Sequence, residues 1–181
     1  MKNFKTIAIA LLVAFSTIAV SAQTKKVYRK KATVVKADET LDSATIYYNL
    51  GWDNYKLDSF GAARYYWEKA SYATGKSASK SAALHRLGLI QQNGQGVDTN
   101  LSMALDFYKR ASGYAGKLGN SDAIKAIGGF YENGYGVEQN DAKALEWYLK
   151  AKQAGNEFTD DDIKRLQERL RNTKPVYKVK N

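Results

Sequence analysis

The sequence predicts an all-α fold, a right-handed α-solenoid built of stacked helical hairpins. The main observation is an internal repeat, because Asn93-Gly94-Gln95-Gly96-Val97 returns 40 residues later as Asn133-Gly134-Tyr135-Gly136-Val137. Self-similarity at such a period is typical of hairpins that stack into a solenoid. In addition, a helical pattern runs through residues 44–173, and the only proline, Pro175, lies beyond it.

The first 22 residues have the layout of a secretory signal peptide. Lys2 and Lys5 precede an apolar run of about 14 residues, and small residues lead up to Ala22. This run is shorter than the ~20 residues that a membrane-spanning helix needs. We therefore expect cleavage after Ala22 and export to the periplasm or the extracellular space. A retained N-terminal anchor is the alternative.

The net charge of +10 is concentrated at the two ends of the chain. Residues 23–37 carry six basic residues and no acidic one, whereas residues 38–173 hold 17 basic and 18 acidic residues. A nucleic-acid-binding protein more often has a basic face on its folded body, so we expect no specific nucleic-acid partner. Residues 23–43 are predicted to be a basic, disordered leader and residues 174–181 a basic tail. In the alternative interpretation these ends attract an anionic envelope surface or polymer.

The chain contains no cysteine. Disulfide bonds, thiolate metal sites and lipid attachment at a cysteine are therefore excluded, and the fold must be stabilised by its apolar core. We expect no metal and no cofactor.

The two later hairpins have matching start and stop signals. Gly94 and Gly134 are predicted to end the first helix in a left-handed conformation. Asn100 and Asn140 stand where an N-cap should begin the second helix. The hairpins are predicted at about 81–116 and 121–155.

The recurring residues of these hairpins resemble the Sel1-like repeat family. That family has an LG pair, a GxGV loop and a second helix with the pattern A-x-x-W-Y-x-K-A. The match covers about 75 residues, with modest departures at Gln91, Arg110 and Ile127. The corresponding pairs here are Leu87-Gly88 and Ile127-Gly128, Ala104-Leu105 and Ala144-Leu145, and Phe107-Tyr108 and Trp147-Tyr148.

An earlier unit has the same helical signature but a shorter loop. Ala63 follows Gly51 by 12 positions, whereas the equivalent spacing is 16 in both later units. This unit, at about 44–77, resembles a tetratricopeptide hairpin, and we expect Asp58 or Ser59 to cap its second helix.

A capping helix is predicted at 159–173. Thr159 is a suitable N-cap, and the acidic residues at 160–162 suit the positive end of the helix dipole. We do not expect a metal site there, because consecutive helical residues point in different directions. A polar terminal helix of this kind covers the last apolar face of a solenoid.

Resemblance to tetratricopeptide arrays implies that the first helix of each hairpin lines a concave groove. The candidate partner-binding residues are Tyr48, Trp52, Tyr55, His85, Gln92 and Lys125, and the further groove positions are Thr45, Leu89, Gly129 and Glu132. The three aromatic residues form one stripe at i, i+4 and i+7, and exposed aromatics are typical binding anchors. The alternatives are that the stripe packs on a neighbouring helix, or that residues 27–35 fold back over it.

No catalytic constellation is recognisable. His85 is the only histidine, and we expect it to be exposed and inert, because no partner for acid–base chemistry lies near it in the sequence. Neither a G-x-S-x-G elbow, nor an H-E-x-x-H helix, nor a P-loop is present. The prediction is a non-enzymatic adaptor or scaffold of the bacterial cell envelope that binds a peptide or a partner helix. The alternatives are polymer binding through the basic ends and a weak hydrolase, the latter implied only by the family resemblance.

Overall fold

The computed structural model describes residues 41–114 and 120–172. These residues form seven α-helices and no strand, which confirms the predicted all-α class. The helices are α1 Ser43–Tyr55, α2 Phe60–Tyr72, α3 Ser77–Asn93, α4 Leu101–Tyr114, α5 Ser121–Asn133, α6 Asp141–Gln153 and α7 Asp160–Asn172. None of the helices in these two ranges is long and apolar enough to cross a membrane. The predicted signal peptide, the leader up to residue 40 and the basic tail lie outside the described residues.

Consecutive helices pack against each other along the chain. The pairs α1–α2, α3–α4 and α5–α6 are the three hairpins, and the first helices α1 and α3 also touch each other. The main core runs through all three hairpins, from Ala63 and Trp67 to Phe130. A second, smaller cluster joins Ala144 and Tyr148 of α6 to Ile163 and Leu166 of α7. The last helix therefore covers the apolar side of the third hairpin.

Each hairpin closes where a glycine of its first helix meets an aromatic ring of its second helix. A Cβ atom added to Gly88 would lie 2.5 Å from the Tyr108 ring, and one added to Gly128 would lie 2.7 Å from the Tyr148 ring. In the first hairpin the same contact joins Gly51 and Trp67, at 2.4 Å. The shorter loop of the first hairpin thus leaves the packing of its two helices unchanged.

The glycine loops have the predicted backbone geometry. Gly94 and Gly134 adopt the left-handed conformation, with φ of 66° and 69°. Gly136 also has a positive φ, and a Cβ atom there would lie 2.9 Å from the backbone nitrogen of Ser102 in the preceding hairpin. The loop of the third hairpin therefore packs directly against the start of α4.

The asparagine caps are also formed. The Asn100 side chain accepts a hydrogen bond from the Met103 backbone N–H at 2.9 Å, and the Asn140 side chain accepts one from the Lys143 backbone N–H at 2.8 Å. These bonds satisfy N–H groups that the helix itself leaves unpaired.

Two helix starts differ in detail from the expectation. Helix α3 begins at Ser77, four residues before the predicted start of the second hairpin. Ser59 occupies the N-cap position of α2, but its side chain makes no capping hydrogen bond. Thr159 lies directly before α7, where its backbone carbonyl accepts a 3.0 Å hydrogen bond from the Ile163 N–H and its hydroxyl donates one of 3.1 Å to the Asn156 carbonyl oxygen.

Candidate interaction site

Two aromatic side chains of α1 form a stacked pair. The rings of Trp52 and Tyr55 are 5.5 Å apart and almost parallel, with an interplanar angle of 2°. Tyr55 also lies 5.6 Å from the buried Trp67 ring, so the pair rests on the core of the first hairpin. Both side chains remain partly exposed.

The second hairpin contributes polar groups to this pair. The Arg86 guanidinium of α3 lies over the Trp52 ring, 4.4 Å from its centroid. The Gln95 amide nitrogen donates a 2.9 Å hydrogen bond to the Tyr55 hydroxyl oxygen. We call Trp52, Tyr55 and Arg86 the Trp52 stack. It is a preformed aromatic and cationic surface that spans the first helices of two neighbouring hairpins.

Tyr48 belongs to the same stripe of α1 as Trp52 and Tyr55. Its side chain packs against the core and is partly exposed, and its backbone carbonyl accepts a 3.1 Å hydrogen bond from the Trp67 indole N–H. All three stripe residues therefore pack on the helices behind them while presenting part of their surface to solvent.

His85 and Gln92 meet at Tyr108. The His85 and Tyr108 rings are 5.6 Å apart, and the Tyr108 hydroxyl donates a 2.7 Å hydrogen bond to the Gln92 side-chain oxygen. Burial, together with the nearby charge of Arg86, lowers the pKa of His85 to about 4. His85 was expected to be exposed, but it is half-buried and neutral at pH 7, since the aromatic ring of Tyr108 covers one side of it.

Lys125 makes its contacts with the C-terminal end of the solenoid. It forms an ion pair with Asp162 of α7 at 3.3 Å and donates a hydrogen bond to the Phe158 carbonyl. It does not join the aromatic residues of α1 in one cluster, because its partners belong to α7 and to the loop before it.

Glu132 was expected on the groove surface, but its side chain is only 7% exposed. Its carboxylate accepts 2.9 Å hydrogen bonds from Arg165 and Arg169 of α7 and another from the Tyr148 hydroxyl. Burial alone would raise the pKa of Glu132, but these hydrogen bonds and the arginine charges hold it below its ordinary value. The first helix of the third hairpin is thus engaged by α7.

Arg86 and Gln95 were not among the residues singled out from the sequence. Their partners Trp52 and Tyr55 lie 34 and 40 positions earlier, in another hairpin. A contact across hairpins has no local sequence signal. A basic residue one position after a groove position was the only available hint.

In the described parts of the chain, no group of three or more histidine, cysteine or acidic side chains is placed to hold a metal ion. The chemistry that the Trp52 stack offers is non-covalent. Flat aromatic faces, a guanidinium and a tyrosine hydroxyl suit a partner with apolar groups and hydrogen-bond acceptors.

Residues 81–112 and 121–156 match the family model described as Sel1 repeat. The hairpin α1–α2 lies outside the matched residues. No curated protein matches the chain.

Solved structures are similar in fold. A Sel1 repeat protein from Oxalobacter formigenes is 24% identical, with a TM-score of 0.56, over 67% of this chain and 88% of that one. A protective antigen present in uropathogenic Escherichia coli strains, which displays an SLR fold, is 20% identical, with a TM-score of 0.50. The match covers 96% of this chain but only 41% of the antigen's chain.

These similarities confirm the predicted helical-repeat solenoid. Repeats of this kind are commonly protein–protein interaction modules and are generally non-catalytic. The family assignment made from the LG pairs, the GxGV loops and the second-helix pattern is confirmed as well. Residues 81–112 and 121–156 are thus two Sel1 repeats.

Proposed function

We propose that the chain is an exported, non-enzymatic adaptor of the bacterial cell envelope. It binds a peptide or a single partner helix on the surface formed by the first helices of the first two hairpins. The family supports the general role, because Sel1 repeats commonly bind proteins. The signal-peptide layout of residues 1–22 supports the location.

The Trp52 stack is the observation that carries this proposal. Tryptophan, tyrosine and arginine are the residue types that dominate the binding energy of protein interfaces. The stacking of Trp52 on Tyr55 and the cover by Arg86 hold these side chains in place before a partner arrives. Such preorganisation reduces the entropy lost on binding.

The extent of the surface limits the size of the partner. The equivalent positions of the third hairpin, Lys125 and Glu132, are occupied by contacts with α7. The surface therefore extends over α1 and α3, two helices whose axes in such packing are about 8–10 Å apart. This width suits one extended peptide or one amphipathic helix.

Affinity capture from an envelope extract tests the proposal. The full chain, a Trp52→Ala variant and an Arg86→Gln variant are immobilised side by side, with Leu149→Ala as the control. Leu149 is a matched choice because it is exposed on α6, away from the Trp52 stack. We expect one partner to be captured by the wild-type and control chains and lost or strongly reduced with both test variants.

Arg86→Gln distinguishes a lost binding surface from a lost fold, because it removes the charge over Trp52 without removing a core side chain. Equal capture by all four folded proteins would contradict the assignment of the surface and would move the interaction to another face or to the basic ends. The N-terminal sequence of the secreted or periplasmic product tests export separately, and we expect it to begin at Gln23.

A further inference from the structure

A second aromatic site lies between α1 and α2. It is an open, shallow cleft of about 440 Å³ on the surface of the first hairpin. Its lining residues are Tyr47, Tyr65, Glu68, Lys69, Tyr72 and Ala73, and we call it the tyrosine cleft. Tyr47 precedes Tyr48 by one position, so it projects from a different side of α1 than Tyr48, Trp52 and Tyr55 do.

Two tyrosines of the cleft project from α2 into solvent. The side chain of Tyr65 is 44% exposed and that of Tyr72 is 78% exposed. They are seven residues apart, which places them on the same face of the helix and about 10.5 Å apart along its axis. A polyproline II helix repeats every three residues, or about 9.3 Å. The spacing of Tyr65 and Tyr72 along α2 is therefore close to the spacing of side chains one turn apart in a proline-rich peptide.

Cations brace the tyrosine rings. The Lys69 ammonium lies 4.8 Å from the Tyr65 ring centroid and 5.7 Å from that of Tyr47. A side-chain hydrogen bond with Tyr65 raises the pKa of Lys69 and keeps it charged. Arg110 of α4 lies 5.7 Å from the Tyr72 ring and donates a 3.4 Å hydrogen bond to its hydroxyl oxygen. These contacts orient the Tyr65 and Tyr72 rings, which remain exposed to solvent.

The polar groups of the cleft are mainly hydrogen-bond donors. Tyrosine hydroxyls and the Lys69 ammonium can donate to a ligand, and the single carboxylate, Glu68, forms an i,i+4 ion pair with Arg64 at 3.9 Å. A proline-rich peptide offers the complementary groups. Its prolines have no N–H, its backbone carbonyls are unpaired, and its rings are apolar.

We propose that the tyrosine cleft binds a proline-rich peptide in the polyproline II conformation, with prolines one turn apart seated against Tyr65 and Tyr72. Aromatic-lined grooves are a recurring way of recognising such peptides, because the ligand is already extended and loses little entropy on binding. This site is separate from the Trp52 stack, so the chain is able to hold two partners or two segments of one partner.

Fluorescence polarisation with two labelled peptides tests the cleft. The probes are a ten-residue polyproline peptide and a glycine–serine peptide of the same length, each titrated with the full chain. We expect saturable binding of the polyproline peptide only. Tyr65→Ala and Tyr72→Ala should each weaken this binding at least tenfold, whereas Tyr135→Ala, which removes an exposed tyrosine in the loop of the third hairpin, should leave it unchanged.

Tyr65 and Tyr72 are exposed, so both variants are expected to retain the far-ultraviolet circular dichroism spectrum of the wild type. Equal binding of both peptides by the wild-type chain, or no saturable binding of polyproline at peptide concentrations of about 1 mM, would overturn the proposal. Unchanged affinity in folded Tyr65→Ala and Tyr72→Ala variants would overturn it too.

Discussion

The Tyr148 hydroxyl donates a 2.9 Å hydrogen bond to the buried carboxylate of Glu132. The same carboxylate accepts hydrogen bonds from Arg165 and Arg169 of α7. Arg169 also forms a 3.1 Å ion pair with Asp141 at the start of α6. One acidic side chain therefore joins both helices of the third hairpin to the terminal helix. In the second hairpin the equivalent tyrosine, Tyr108, donates instead to the uncharged side chain of Gln92.

Glu132→Gln should loosen the attachment of α7. The substitution removes the negative charge that two arginines share, but it preserves the size of the side chain. Both arginines are partly exposed, which weakens the pairing through solvent screening, so we expect a loss of about 1–3 kcal/mol in the free energy of unfolding. Urea unfolding followed by circular dichroism measures this change.

Glu146→Gln is the matched control, because Glu146 is exposed on α6. We expect it to alter the free energy of unfolding by less than about 0.5 kcal/mol. If Glu132→Gln were equally silent, the carboxylate would not be what attaches α7.

The depressed pKa of Glu132 predicts how stability responds to acid. A carboxyl group whose pKa is lower in the folded state stabilises the protein above its unfolded pKa, which is ordinarily 4.5. This contribution is lost as the pH falls from there through the lower pKa of the folded state. As the pH falls below 4.5, the advantage of the wild-type chain over Glu132→Gln in thermal unfolding should therefore shrink steadily, and an advantage that acid left unchanged would contradict the expectation.

His85 should titrate far below the usual range of histidine. Its pKa is about 4 in the folded chain against 6.5 for a free side chain, because burial against Tyr108 disfavours the imidazolium. As the pH falls, His85 is protonated in the unfolded state near pH 6.5 but in the folded state only near pH 4. The stability that the neutral, buried ring provides is therefore present above pH 6.5 and is lost as the pH falls towards 4. In His85→Gln the stability should decline less over that interval.

A nuclear magnetic resonance titration measures this pKa without ambiguity, because the chain has a single histidine. We expect the imidazole C–H resonance to move with a midpoint near pH 4 in the folded protein. A midpoint close to 6.5 would show instead that the ring is well solvated.

The parts of the fold that follow from local backbone requirements were predictable. These hairpins turn through left-handed residues at Gly94 and Gly134 and through side-chain caps at Asn100 and Asn140. Because glycine and asparagine are the residue types that suit these positions, the residue types alone predict the turns. The early start of α3 was not predictable in this way. Residues 77–80 have no apolar stripe, and their helix is tied to α1 by a 2.7 Å hydrogen bond between the Ser79 and Thr45 hydroxyls.

The candidate site was less accessible to sequence reasoning. The aromatic stripe of α1 follows from helical spacing, and Trp52 and Tyr55 do lie together. A side chain on a first helix is either exposed to solvent or in contact with a neighbouring element. Which of the two occurs depends on contacts between positions that are distant in the sequence. The sequence places Glu132 at a groove position, yet its partner Arg165 comes 33 residues later, and the charge pattern of α7 alone does not identify the acidic residue that Arg165 contacts.

The contact between Gly88 and Tyr108 predicts a sharp difference between two glycine substitutions in the same hairpin. Gly88→Ala would place a methyl group 2.5 Å from the ring of a fully buried tyrosine, which cannot swing into solvent. We expect the free energy of unfolding to fall by about 1–3 kcal/mol, the usual effect of overpacking a core. Gly113→Ala, near the end of α4, would meet no side chain and no other element within 4 Å in the part of the chain that the structure describes, and it should gain up to about 1 kcal/mol from helix propensity. Urea unfolding of both variants measures the two changes, and similar stabilities would mean that the helices separate easily at Gly88, so that the glycine is not needed for their close approach.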